Sequence, residues 1–177
     1  MKTLGILSLT LFFAVAVVQT QAQETKKEAK TERKALRKLE GTKVSELAKT
    51  HFYSDFGNVP NAVWKRVDTY DQVIFTKDGQ KMTAFYDYDA NLVGTTSNKK
   101  FTDLPARAQQ EIKAKYKNYS IGTVIFYDDN EANETDMILY GAQFEDADNY
   151  FVELAKGAEK IVVEVNPAGF VTYFKKL

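Results

Sequence analysis

The residue types that most often carry catalysis are scarce in this sequence. There is no cysteine, which excludes a thiol nucleophile and a thiolate-bound metal. The single histidine, His51, lies three residues before Ser54, but nothing around this pair suggests the donors of an oxyanion hole. No glycine-rich phosphate loop occurs. We therefore predict no catalytic residue, no cofactor and a non-enzymatic protein, in which His51 is a partly exposed helix side chain.

Carboxylates are the second group that could support chemistry. They are dense between Asn118 and Ala155, a stretch that contains no lysine or arginine. Oxygen ligands suit divalent cations, although no known ligand spacing is present. The candidate metal ligands are Asp128, Asp129, Glu131, Glu134 and Asp136. Three alternatives stay open: a solvated loop, pairing with the basic residues between Lys26 and Lys38, and a partner-binding surface.

The N-terminus is organised like a secretory signal peptide. Lys2 precedes a mostly apolar run from Leu4 to Val18, and small residues stand at Thr20 and Ala22. The run is shorter than the roughly 20 residues that a membrane-spanning helix needs. We expect cleavage near Ala22, which removes residues 1–22 and leaves a periplasmic or secreted protein without membrane contact.

The rest of the chain suits one domain. The whole sequence has 24 basic and 24 acidic residues, a balance that does not favour nucleic acid as a partner. Residues 23–43 are rich in Lys, Arg and Glu and poor in large apolar residues, so they predict a charged arm or a solvated helix. Without disulfides, the stability of this exported domain must come from its core.

Two short helices and several strands are predicted in residues 44–177. Apolar residues recur four positions apart at Val44, Ala48, Phe52 and Phe56, and again at Leu104, Ala108, Ile112 and Tyr116. Alternating segments follow each helix, and Asp78-Gly79 between two of them predicts a hairpin turn. Thr123 to Tyr127 and Met137 to Phe144 are predicted to be two strands that extend the sheet.

The alternating segments suggest an internal repeat. Val73 to Ala90 aligns without a gap on Val152 to Gly169. We therefore predict an α+β fold in which a helix followed by about four antiparallel strands is duplicated, with both helices on one face of the sheet. The first repeat would span residues 44–97 and the second 98–177, with an acidic insert near 128–148. Two unrelated hairpins that merely alternate alike are the alternative.

Strand parity also predicts a second apolar face, directed away from the helices. It carries Ile74, Phe85, Phe151 and Val162. A face this apolar could be covered by the chain itself, by a second copy or by another protein. These four residues are our candidate partner-binding residues.

Several of these residues carry a resemblance to a known family. The pattern of Phe56, Asn61-Ala62, Trp64, Asp78-Gly79 and Leu104-Pro105 resembles the PepSY-like, beta-lactamase-inhibitor-protein-like (BLIP-like) family of exported Bacteroidetes proteins. The sequence departs from the family at Ala90, where glycine is usual, and in the acidic insert. The resemblance implies helices on antiparallel sheet and a protein-binding or inhibitory role.

The functional expectation is an exported, non-enzymatic protein-interaction module, inhibitory by resemblance, whose partner is another protein in the periplasm or outside the cell. A periplasmic protein that binds a ligand or cation through the acidic insert is the alternative. The oligomeric state and the identity of the partner do not follow from the sequence.

Overall fold

A computed structural model describes residues 37–67, 69–145 and 147–177, which belong to one compact unit. The predicted signal peptide, residues 1–22, lies outside the described residues, as do residues 23–36 of the predicted charged arm. In the described part of the chain, no helix has the length and apolar character that crossing a membrane requires.

The described residues form two α-helices, a short 3-10 helix and ten strands. In chain order they are α1 (Glu46–Phe56), β1 (Val63–Arg66), β2 (Asp71–Lys77), β3 (Gln80–Tyr86), β4 (Leu92–Lys99), the 3-10 helix (Phe101–Asp103), α2 (Ala106–Lys115), β5 (Ser120–Asp129), β6 (Met137–Leu139), β7 (Ala142–Phe144), β8 (Asn149–Lys156), β9 (Glu159–Val165) and β10 (Val171–Lys176).

Eight of these strands form one antiparallel sheet in the order β1-β2-β3-β4-β5-β8-β9-β10. Strands β6 and β7 form a separate two-stranded sheet. In β10 the pairing register with β9 shifts between Tyr173 and Lys175, which marks a bulge in this edge strand.

The prediction of an α+β fold made of two helix-plus-four-strand repeats is wrong. Most of the described structure is antiparallel sheet, and α1 and α2 have only 11 and 10 residues. Strand pairing also continues from β4 to β5, across the boundary between the predicted repeats. In addition, the second sheet has no counterpart in the predicted repeat.

One face of the large sheet, here called the helix face, contacts both helices. Ala48 and Phe52 of α1 are buried against Val73, Phe75 and Ala84. Ala108 and Ile112 of α2 are buried against residues of β5, β8, β9 and β10, including Val124, Val152 and Val163. Because buried positions alternate along these strands, the opposite side chains form a second surface, here called the outer face.

Strands β6 and β7 cover the middle of the outer face. Met137 and Phe144 are buried there in one cluster with Tyr127, Phe151 and Val162. The Phe144 and Phe151 rings lie 4.8 Å apart between centroids in an edge-on arrangement. The segment Met137 to Phe144 is therefore a tight hairpin that turns at Tyr140-Gly141, and not an extension of the large sheet.

The Asp78-Gly79 pair and the single tryptophan can be compared directly with the structure. Asp78 and Gly79 have φ angles of 52° and 76°, so the β2–β3 connection is the hairpin turn expected from this residue pair. Trp64 lies in β1 beside Val63 and is half-buried, with its ring edge-on to Phe52 at 5.5 Å.

Candidate functional site

The β6–β7 hairpin leaves a groove on each side of it on the outer face. The first, here called the neutral groove, has a volume of about 730 Å³ and is lined by Val67, Thr69, Tyr70, Gln72, Ile74, Thr83, Phe85, Ile138, Leu139, Tyr140 and Gly141. The second, here called the acidic groove, has a volume of about 650 Å³ and is lined by Ala142, Gln143, Phe144, Glu145, Ala147, Asp148, Asn149, Glu164, Asn166, Pro167, Phe170, Thr172 and Phe174.

Among the described residues that line the neutral groove, none is charged. Its floor includes Tyr70, whose ring is edge-on to Phe85 with centroids 5.9 Å apart. The Tyr70 hydroxyl donates a hydrogen bond of 2.8 Å to the carbonyl of Asp136. Burial raises the pKa of Tyr70 to about 12, so its phenol stays uncharged at neutral pH. The groove therefore offers apolar and neutral hydrogen-bonding contacts only.

The far wall of the neutral groove is the hairpin turn. Tyr140 and Gly141 have positive φ angles of 53° and 70°. The Lys175 ammonium donates hydrogen bonds to their carbonyls, at 2.7 and 3.1 Å, from the neighbouring edge of the sheet. The Tyr140 hydroxyl donates a hydrogen bond of 3.1 Å to Glu153. These contacts hold the turn in place, so the groove exists before any partner binds.

The acidic groove differs in charge from its neighbour. Glu145, Asp148 and Glu164 line it, and the described residues of its lining include no lysine or arginine. Burial, followed by repulsion from Glu145, raises the pKa of Glu164 above its usual value. The pKa of Asp128 is also raised, first by partial desolvation of its carboxylate, although the residue as a whole is exposed, and then by the charges of Asp148 and Glu131. Negative charge is therefore concentrated where β5 ends and β8 begins.

The candidate metal ligands do not converge on one point. Asp129 accepts a hydrogen bond from Tyr127, while Asp136 accepts one from Gln143 on the hairpin. Glu131 and Glu134 are exposed, as is Asp128. Among residues 37–67, 69–145 and 147–177, no group of three or more acidic or histidine side chains is placed to hold a metal ion.

The segment between β5 and β6 has a structural part that the sequence did not indicate. Asn133 and Thr135 are buried at 4% and 3% exposure. The Asn133 amide donates hydrogen bonds to the Asp87 carboxylate at 3.1 Å and to the Leu92 carbonyl at 3.0 Å. The other Asp87 oxygen accepts from the backbone N–H groups of Asp89 and Asn91, both at 2.9 Å. The segment thus fastens the β3–β4 turn to the sheet.

The candidate partner-binding residues are distributed unevenly. Phe85, Phe151 and Val162 are buried at 5%, 0% and 0% exposure in the cluster beneath the β6–β7 hairpin. Ile74 is half-buried and lines the neutral groove, where Phe85 forms part of the floor. The opposite wall is formed by Ile138, Leu139 and Tyr140, none of which was predicted from the sequence as a partner-binding residue. Their signal was the strand-like segment after Asp136, which was predicted to extend the large sheet.

His51 lies at the rim of a shallow depression of about 470 Å³ beside Asp55. Its Nδ1 is 2.6 Å from the carbonyl of Ala90, a contact in which the ring nitrogen donates. Asp55 accepts a hydrogen bond of 2.8 Å from Tyr86. Ser54 donates its hydroxyl to the Thr50 carbonyl within the helix, so the described hydrogen bonds do not join it to His51.

The fold is similar to solved structures of Bacteroides proteins. A BLIP-like protein from Bacteroides fragilis is 16% identical, with 76% of this chain and 87% of that chain covered at a TM-score of 0.59. A DUF2874 family protein from Bacteroides uniformis is 12% identical, with 75% and 90% covered at 0.62. A candidate periplasmic protein from Bacteroides eggerthii is 12% identical, with 75% and 89% covered at 0.61.

These similarities establish the fold alone, because every identity is low. They agree with the BLIP-like part of the resemblance that we saw in the sequence, while none of the three structures is described as PepSY-like. The sequence itself matches no protein-family model and no curated protein.

Proposed function

We propose that this protein is an exported, non-enzymatic protein-interaction module whose neutral groove receives an apolar, uncharged segment of a partner protein. The observation that carries the proposal is the composition of the groove. The described lining residues, eleven in number, enclose about 730 Å³ without one charged side chain among them, although 27% of the sequence is charged. An apolar concave surface next to a sheet edge is a common place for a peptide segment to bind.

The surroundings of the groove support a partner segment in an extended conformation. Val67, which directly follows the edge strand β1, lines the groove. Val63 of β1 lies opposite Ile74 in the strand register and is 61% exposed, so an apolar strip continues from the groove to the edge. A segment that lies along this strip would bury both side chains and gain roughly 25 cal/mol for each Å² of apolar surface removed from water.

An inhibitory role is the finer form of this proposal. Its support is the fold similarity to a protein described as BLIP-like. Export to the periplasm or beyond is supported by the N-terminal sequence pattern and by the fold similarity to a candidate periplasmic protein. Binding of a cation through the acidic segment gains no support from the placement of the carboxylates in the described chain.

The groove can be tested with a charge placed on its floor. Thr83→Lys introduces an ammonium at a half-buried position of the neutral groove, where an apolar segment would leave it without a partner. Thr102→Lys makes the same change at an exposed position in the 3-10 helix and is the matched control. Both variants should keep a cooperative thermal unfolding transition.

The readout is chemical cross-linking of the secreted protein to exported proteins of the same cells, followed by mass spectrometry. We expect a cross-linked protein that is retained by Thr102→Lys and lost by Thr83→Lys. Equal cross-linking by both variants would place the binding surface elsewhere and would contradict the proposal.

A further inference from the structure

The acidic groove combines an aromatic floor with carboxylates at its rim. Phe144 and Phe174 lie on the floor with ring centroids 6.1 Å apart, in an edge-on arrangement. Glu145, Asp148 and Glu164 also line the groove. Aromatic faces and carboxylates are the two groups that attract an organic cation, the first through the ring quadrupole and the second through charge.

Glu164 occupies a position that does not suit an unpaired acid. It lies between Phe151 and Thr172 in the register of the large sheet, and Phe151 is fully buried. Within the described residues, no side chain or backbone group donates a hydrogen bond to the Glu164 carboxylate, and no ion pair forms there. Burial and the nearby charge of Glu145 both disfavour its ionised form. A bound cation would remove both penalties.

The rim of the groove already shows how a cation is held. The guanidinium carbon of Arg107, at the start of α2, lies 3.7 Å above the ring centroid of Phe170. Phe170 is 50% exposed, so part of its surface remains accessible at the mouth of the groove. A long basic side chain can cover such aromatic surface with its methylene groups while its head reaches the carboxylates.

We propose that the acidic groove binds an arginine or lysine side chain carried by a basic segment of a partner protein. The charged head lies between Glu145 and Glu164, and the stem lies against Phe144 and Phe174. This inference does not depend on the proposed role of the neutral groove, because the two grooves are on opposite sides of the hairpin and differ in charge. A partner that fills both would present apolar and basic residues to the same face.

The test uses the whole protein and a defined probe, the peptide acetyl-Gly-Arg-Gly-Arg-Gly-amide. Its binding is followed by NMR chemical-shift titration. A second peptide, with citrulline in place of each arginine, keeps the shape and removes the charge. Glu164→Gln removes one carboxylate from the groove, and Glu111→Gln on α2 is the control outside it.

We expect the arginine peptide to bind and the citrulline peptide not to bind. Glu164→Gln should weaken binding about tenfold, the loss of one charge-assisted hydrogen bond, while Glu111→Gln should leave it unchanged. Affinity should fall as salt is raised, because the contact is partly exposed. Loss of folding does not confuse the result, since Glu164→Gln removes a disfavoured charge and should melt no earlier than wild type.

Three results with the intact protein would overturn the proposal. They are failure of the arginine peptide to bind at millimolar concentration, equal affinity of the two peptides, and equal affinity of wild type and Glu164→Gln. Binding that is seen only after deletion of residues 23–36 would also overturn it, because the groove would then belong to the basic segment of this chain and not to a partner.

Discussion

Asn133→Ala should destabilise the folded protein strongly, although the residue lies in a connection between strands. The substitution removes two donor hydrogen bonds, to the Asp87 carboxylate at 3.1 Å and to the Leu92 carbonyl at 3.0 Å. It also removes the acceptor for the Thr135 backbone N–H, at 3.2 Å. All of this occurs where Asn133 is 4% exposed, so water cannot replace the lost partners easily.

The magnitude follows from what each loss leaves behind. The Leu92 carbonyl keeps a second donor, the Asn130 amide at 2.7 Å, so its loss costs little. The Asp87 oxygen keeps only the Thr135 hydroxyl at 3.5 Å, and Asp87 is 7% exposed. A buried charged acceptor without a good donor costs about 1–3 kcal/mol, and the orphaned N–H of Thr135 adds about 1 kcal/mol. The expected loss is therefore about 2–4 kcal/mol.

Chemical denaturation gives this free energy directly, and thermal unfolding should show a Tm lowered by roughly 8–15 °C. Asn118→Ala, at an exposed position after α2, is the matched control and should change stability by less than about 0.5 kcal/mol. If Asn133→Ala lies as close to wild type as this control, the hydrogen bonds to Asp87 do not stabilise the fold. Replacing Glu131 to Thr135 by a short Asn-Gly turn should also destabilise, because it removes the buried Asn133 and Thr135.

Three further predictions concern single residues. Ala90 has a φ of 63°, so the free energy of unfolding of Ala90→Gly should stay within about 0.5 kcal/mol of wild type, because relief of about 1 kcal/mol of strain offsets the lost methyl group. Gly79 has a φ of 76°, and Gly79→Val should destabilise the protein clearly in the same denaturation assay. Arg66→Ala should cost about 3–5 kcal/mol in urea unfolding, because it leaves the fully buried Asp71 without its ion pair; an effect below 1 kcal/mol would contradict this. Burial raises the pKa of Glu164 above the unfolded value of 4.5, so the folded state binds the carboxyl proton more tightly than the unfolded state does. The contribution of Glu164 to stability therefore falls as pH rises from 4.5 through the folded-state pKa. Glu164→Gln should accordingly gain stability over wild type at pH 7 and lose this advantage near pH 4, as measured by melting at both pH values.

The sequence allowed the local elements to be predicted where a period and a turn signal coincide. Asp78-Gly79 marks a hairpin because both residues accept positive φ, and Ala48 and Phe52 mark a helix because they recur on one face. These signals are local, so they do not state which strands become neighbours. The pairing of β4 with β5, which joins the predicted repeats into one sheet, is a long-range property that periodicity does not encode.

The candidate site was less accessible to sequence reasoning. The alternation of side chains along a strand correctly places Phe85 and Phe151 on the face directed away from the helices, but it does not show which segment covers them. Each strand of the hairpin that covers them has only three residues, and the sequence from Met137 to Leu139 is equally consistent with part of a longer strand. Asn133 and Asp87 form their hydrogen bond across 46 positions of the chain, so no local pattern indicates it. Their residue types are those of an ordinary polar loop.

The two outer strands of the large sheet bear on how this protein behaves at high concentration. An open sheet can grow by adding a strand from a second molecule at either rim, which is a route to aggregation. Here one rim is the four-residue β1 with Lys65 and Arg66, and the other is the bulged β10 with Lys175 and Lys176. A rim-to-rim encounter would oppose positive charges on strands that are short or irregular. The short, bulged and lysine-bearing rims therefore disfavour growth of the sheet by a strand of a second molecule.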